Sequence, residues 1–189
     1  VITFSDESLR LLQDEKYLGS IFCHNASTDA EVTARLLKGQ AAFSKLHRVW
    51  RSGSLQTHTK VVLFGALCLT IVMYGLAARI RTTGNLRRLE RWHSRCLRRI
   101  TRNFSFDDSS ITNRMVRFRA KTYSFESMLR RHRLGLLQRI LRGGRNTAVA
   151  RAAIFGNFFW ESGSRTTPRL LMFKNDVSLL LQRNAHLLP

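Results

Sequence analysis

Leu86 to Arg102 reads LRRLERWHSRCLRRITR. Wound at about 100° per residue, Arg87, Arg88, Arg91, Arg95, Arg98, Arg99 and Arg102 fall within one arc of about 120°. Leu86, Leu89, Trp92, His93, Cys96, Leu97 and Ile100 take the other side, with no arginine among them. Such a helix has one face to bury and needs other helices to bury it against, which points to a mainly α fold. Glu90 is its only acid, so the arginines are not chiefly pairing along their own helix. A solvated charged face usually mixes Glu with Lys. Seven Arg against one Glu instead suggests a face for a polyanion.

The rest of the composition agrees. The chain of 189 residues can bury a real core, and its apolar fraction of 44% is that of a folded protein. Net charge is +20, unevenly placed: residues 79–151 hold 20 of the 32 basic residues and a surplus of +16. Charge of this size repels itself and favours an anionic partner. Arginine outnumbers lysine 26 to 6. Its planar fork suits bidentate phosphate contact and base stacking, which favours structured RNA over a diffuse membrane patch.

Cys23, Cys68 and Cys96 are odd in number and widely spaced, giving neither a disulfide framework nor a metal site. His93 and Cys96 stand at HxxC spacing without a second pair and read as ordinary helix residues. No cofactor is implied, and the expected setting is intracellular and reducing. The first residue is not Met and the opening is not a signal peptide, so an excerpt or a processed chain is expected.

Outward from the arginine stretch, the chain divides into four expected regions. Residues 1–26 read as a β-hairpin, with strands over 8–12 and 17–23 around a polar loop at 13–16. Residues 27–102 read as a helical bundle. Within it, Ser27 or Thr28 caps a helix from Glu31 to about Arg51, which Ser52-Gly53-Ser54 ends. Val61 to Ala78 follows, 18 residues without a charge. That length meets the threshold for a single membrane span flanked by Lys60 and Arg79. Gly65, Thr70, Gly75 and the amphipathic neighbours favour instead a central helix buried on all sides.

Residues 103–160 read as a basic helical extension. It comprises a polar loop carrying Asp107 and Asp108, a helix over 114–123, a basic helix over 127–142 and an apolar segment over 148–160. The basic helix has Leu129, Leu136 and Ile140 inward, and Arg130, Arg131, Arg139 and Arg142 are its candidate RNA contacts. Residues 161–189 read as a linker and a last helix. Trp50, Trp92 and Trp160 are candidates for base stacking, although large aromatics at helical spacing are more often core.

The order of features resembles the region just after the polymerase palm in reverse transcriptases of non-LTR retrotransposons. The resemblance rests on KYLGS (16–20), a helix ending at Trp50, and Lys60 with an apolar helix closing on Tyr74-Gly75. It continues with Leu89-Glu90, His93, Cys96 to Ile100, the pair Arg133-Leu134 with Arg142, and Trp160. It implies a palm-end hairpin followed by a thumb-like helical bundle that holds template–primer duplex. Lys16 and Tyr17 would then lie near a former primer grip. Arg87, Arg91, Arg95 and Arg98 would lie on a nucleic-acid face.

The departures are equally plain. Polymerisation needs carboxylates that hold two Mg²⁺ ions, and the family's paired Asp lies upstream of KYLGS. Asp107-Asp108 matches no palm motif. No hydrolase triad, zincin or P-loop pattern appears. The expectation is therefore a non-catalytic RNA-binding part of a ribonucleoprotein, such as a ribosome, among other proteins of a large assembly. A mitochondrion is one home; nucleus or cytoplasm is the home if the chain is a retroelement protein. The alternatives are an excerpt of an active reverse transcriptase and, third, a single-span membrane protein.

Overall fold

The computed structural model describes residues 2–4, 7–9, 14–25, 27–77, 82–102, 111–143, 150 and 168–183. Strand β1 (Ile2–Phe4) pairs with β2 (Glu7–Leu9), and β3 (Asp14–Tyr17) with β4 (Ser20–Cys23), both antiparallel. Helices follow: α1 (Asp29–Lys45), α2 (His47–Arg51), α3 (Thr57–Phe64), a π-helical turn (Gly65–Leu69) and α4 (Thr70–Met73). Then come α5 (Thr83–Thr101), α6 (Asn113–Arg119), α7 (Phe125–Arg142) and α8 (Pro168–Arg183). The fold is mainly α, with an antiparallel hairpin ahead of the helices.

The hairpin stands in a different register from the one expected. Asp14 to Lys16, read as a loop, forms strand β3, with Lys16 opposite Ile21 and Tyr17 opposite Ser20. The turn falls on Leu18 and Gly19, whose φ angles of 47° and 78° are both positive. That is the signature of a type I′ turn, whose twist suits a two-residue hairpin. All four residues of β3 are exposed, so no alternation marked it as a strand. Of the expected strand 8–12, Ser8 and Leu9 pair with β1, and residues 10–13 lie outside the described residues.

The expected helix over 31–51 divides at Leu46. There the Phe43 carbonyl accepts from the Leu46 N–H at 3.3 Å and from the Trp50 indole N–H at 2.7 Å. Thr28 stands at the N-terminus of α1, yet its hydroxyl serves Asn85 of α5 rather than its own helix. Buried Lys60 closes the other end of α2, donating to the carbonyls of Trp50 (3.2 Å) and Ser52 (2.6 Å).

The uncharged stretch 61–78 is neither continuous nor covered on all sides. It passes through the π turn, and Tyr74 and Gly75 (φ 70°) end it. Phe64, Cys68, Leu69 and Val72 are buried, whereas Val62, Leu67 and Tyr74 are exposed. Its neighbours α1 and α5 cover one side only, and the other fronts a groove of about 1260 Å³ facing α7. Among the described residues no helix is long and apolar enough to cross a membrane.

One core joins these helices: Val32 and Phe43 of α1, Phe64, Val72, Leu89, Trp92, Leu97 and Ile100, then Val116, Phe125 and Leu129. Gly39 lets α1 approach closely, since a Cβ there would collide with Val72 and stand 3.1 Å from the Trp92 ring. Trp50 and Trp92 are core residues. Ile140 and Phe173 make a smaller cluster between α7 and α8. The basic helix expected over 127–142 begins two residues earlier, capped by Ser124, and buries Leu129 and Ile140 as expected. Asp107-Asp108 and Trp160 lie outside the described residues, as does the apolar segment 148–160 apart from residue 150.

Candidate nucleic-acid interface

Helix α5 is held at both ends by its own polar side chains. Thr82 caps it, accepting from the Asn85 N–H. The buried Asn85 amide donates to Thr28 Oγ1 (3.2 Å) and Asp29 Oδ1 (2.6 Å), tying the start of α5 to the start of α1. Its apolar face is the one that helical spacing predicts: Leu89, Trp92, His93, Cys96, Leu97 and Ile100 are all buried. Each aliphatic side chain enclosed this way contributes about 1.5–3 kcal/mol.

Glu90 turns away from the arginines of its helix. One oxygen accepts from Arg117 of α6 (2.8 Å) and the other from the Phe125 N–H that opens α7 (2.7 Å). The one acid of the stretch is thus a fastener for two later helices, and it occupies an N-terminal backbone N–H that has no partner within the helix.

The seven arginines divide into two groups. Arg88 reaches Thr33 Oγ1 (2.7 Å) and Asn85 Oδ1 (3.2 Å). Arg98 donates to the Ile111 carbonyl (2.7 Å) and Asn113 Oδ1 (3.1 Å). Arg102, in the left-handed conformation at φ 56°, donates to the Arg51 carbonyl (2.9 Å). These three hold the bundle together. Arg87, Arg91, Arg95 and Arg99 are exposed and make no hydrogen bond or ion pair with any described residue. They follow one another at i, i+4, a ridge with steps of about 6 Å and a length of about 18 Å. An exposed guanidinium row of this kind suits successive phosphates, each with its planar fork.

On α7 the candidates separate as well. Arg130 pairs with Asp176 of α8 (3.0 Å) and Glu126 (2.9 Å), and Arg133 grips Asp176 by two bonds of 2.6 and 2.8 Å. Asp176 is buried, so this pair of arginines fixes α8 against α7. Arg131, Arg139 and Arg142 are exposed, and Arg139 also returns a bond to the Gly135 carbonyl at 3.3 Å. Nothing in the sequence marks Asp176, because its arginines lie more than 40 positions away.

The hairpin and the motif Tyr74-Gly75 meet. The Tyr74 hydroxyl donates to the Leu18 carbonyl (3.0 Å), and Arg35 donates to the Gly19 carbonyl (2.7 Å). Arg35 is itself buried, paired with Glu31 at 2.7 Å and lying 4.5 Å from the centre of the Tyr74 ring. Glu31 accepts in addition from the Ile21 N–H (2.6 Å). Lys16 and Tyr17 stand exposed on β3, with Tyr17 edge-on to Phe22. Arg35 and Glu31 were not among the residues expected to matter, and their i, i+4 spacing is the only signal the sequence offers for them.

Compared with known protein families, curated proteins and solved structures, the chain matches none of them. Its chemistry therefore has to be read from its own side chains. Among the described residues no group of three or more His, Cys, Asp or Glu is placed to hold a metal ion. Burial pushes the Cys68 thiol up to about 11 and the Cys96 thiol up to about 12, so both stay protonated near neutral pH. His93 is held down at about 4 by burial and by Arg117. These are core groups, and the exposed chemistry is cationic.

Proposed function

We propose that this chain binds the sugar–phosphate backbone of RNA through the α5 ridge, as a non-catalytic holding part of a ribonucleoprotein assembly. The observation that carries the reading is the division of the arginines. Three are consumed by the fold, whereas Arg87, Arg91, Arg95 and Arg99 stand in line on the surface with no acid among the described residues to neutralise them. Contacts to phosphate position a nucleic acid without reading its sequence, so binding is by charge and shape. The surplus of +16 over residues 79–151 supports a polyanionic partner.

A second reading is favoured by the meeting of KYLGS with Tyr74-Gly75. Those two motifs belong to the resemblance to non-LTR reverse transcriptases, and the bond between them gives them a shared structural reason. On that reading the same ridge grips template–primer duplex within a longer polypeptide.

Isolation of the native protein under gentle salt tests both. Co-sedimentation with a discrete large RNA and other proteins, abolished by ribonuclease, is the expected result. A longer polypeptide carrying this sequence, with primer-extension activity, would establish the second reading. Sedimentation free of RNA at low salt would overturn both.

A further inference from the structure

Helix α6 turns Val116 and Ala120 into the core, and Glu90 holds its Arg117. Its other face presents Arg114, Met115, Phe118 and Arg119, with Phe118 83% exposed and Met115 43%. Residues 111–123 carry Arg114, Arg117, Arg119 and Lys121 and no acid. Arg114 stands one turn before Phe118, and its side chain makes no hydrogen bond or ion pair with any described residue. A bare phenyl ring framed by cations fits a partner that is flat and anionic.

Helix α6 lies along α5 and runs antiparallel to it. Asn113 meets Arg98 near the end of α5, and Arg117 meets Glu90 about two turns earlier. On α5 the free arginines stand about a quarter turn round from this line of contact. On α6, Arg114 and Phe118 stand about a third of a turn round from theirs, in the same helical sense. In an antiparallel pair, equal senses of rotation lead to the same side. Arg114 and Phe118 therefore flank the ridge of Arg87, Arg91 and Arg95, with about 8–10 Å between the two axes.

We propose that the RNA on the α5 ridge is unpaired where it passes α6, and that one of its bases stacks on the exposed Phe118 ring. The proposal rests on the RNA-backbone reading and deepens it. A strand whose phosphates follow the ridge turns its bases toward α6, and Arg114 stands ready for the neighbouring phosphate. A charged track beside an exposed aromatic ring is the arrangement that holds single-stranded nucleic acid without reading its sequence. A base inside a duplex has its faces covered by its neighbours, so Phe118 serves only a loop, a bulge or an end. Duplex RNA is then held by the ridge alone.

The test uses the full chain, a short single-stranded RNA, and an abasic strand of the same length that keeps every phosphate and lacks the bases. The expected result is about tenfold tighter binding of the base-bearing strand, the contribution of one base on an aromatic ring. Phe118→Ala and Phe118→Leu are expected to remove that preference, and Phe118→Trp to retain it. Because the ring is exposed, none of the three disturbs the core. All should leave affinity for the abasic strand within about twofold, since the phosphate-binding ridge is intact. Equal affinity of the wild-type chain for the two strands, or a preference that survives both Phe118→Ala and Phe118→Leu, would overturn this proposal alone. Failure to bind either strand at low salt would overturn the RNA-backbone reading with it.

Discussion

His93 is fully buried in α5, stacked on Phe64 with centroids 5.9 Å apart and edge-on to Phe125 at 6.0 Å. Neither ring nitrogen has a hydrogen-bond partner among the described residues. Its pKa is held at about 4, below the ordinary 6.5, because burial penalises the imidazolium and Arg117 repels it. The unfolded chain therefore takes up a proton near pH 6.5 that the folded chain refuses. Stability is full above that value and falls as pH drops toward 4. Between about pH 7.5 and about pH 5 the loss from this one group is about 2 kcal/mol. For a chain of this size that lowers Tm by about 4–8 °C.

His93→Phe removes the proton site and keeps the ring between its two aromatic neighbours. It is expected to be at least as stable as wild type near neutral pH, since two unpartnered nitrogens leave the core. Urea unfolding across this pH range compares the two slopes. His24, His47, His58 and His132 are exposed and common to both chains, so they form a shared background. The reasoning is refuted if the Phe variant keeps the wild-type slope.

Gly39→Ala is expected to destabilise by about 1–3 kcal/mol, because the new methyl collides with Val72 and crowds the Trp92 ring. Gly135→Ala on α7 meets nothing within 4 Å and should gain about 1 kcal/mol from helix propensity; equal effects in thermal melts would contradict the close approach of α1. Arg35→Met takes from buried Glu31 its guanidinium partner and should cost about 3–5 kcal/mol. Amide exchange in β4 should quicken with it, and adding Glu31→Leu should recover much of the loss in a double-mutant cycle.

The α5 face was legible in the sequence because its signal is periodic and local. The arginine arc and the apolar face needed nothing beyond helical spacing. The division of that arc was not legible. Apart from the local contact of Arg88 with Asn85, the partners of Arg98, Arg102 and Arg88 lie between 13 and 55 residues away and include backbone carbonyls, which no sequence pattern marks.

The uncharged stretch 61–78 misled in another way. A run of apolar residues cannot tell a helix enclosed on all sides from one that turns and shows a face. Strand β3 was lost because Asp14, Glu15 and Lys16 are polar on both faces, so period two had nothing to act on. Its turn was written in Leu18-Gly19 all along, in a dipeptide that rarely signals a type I′ hairpin. Asp176 was invisible for the same reason as the arginine partners: its role depends on α8 lying against α7.

On the proposed reading, four arginines of α5 hold the nucleic acid and three hold the fold. Salt dependence of binding to a short RNA duplex separates the two groups directly. Replacing Arg87, Arg91, Arg95 and Arg99 with Gln should flatten the log–log slope by about 3, at roughly 0.7–0.9 for each phosphate left without its arginine. Replacing Arg88 and Arg98 with Gln should lower the melting temperature and leave the slope of the folded protein nearly unchanged. An unchanged slope in the fourfold variant, with RNA still bound, would mean that the ridge is not the binding face.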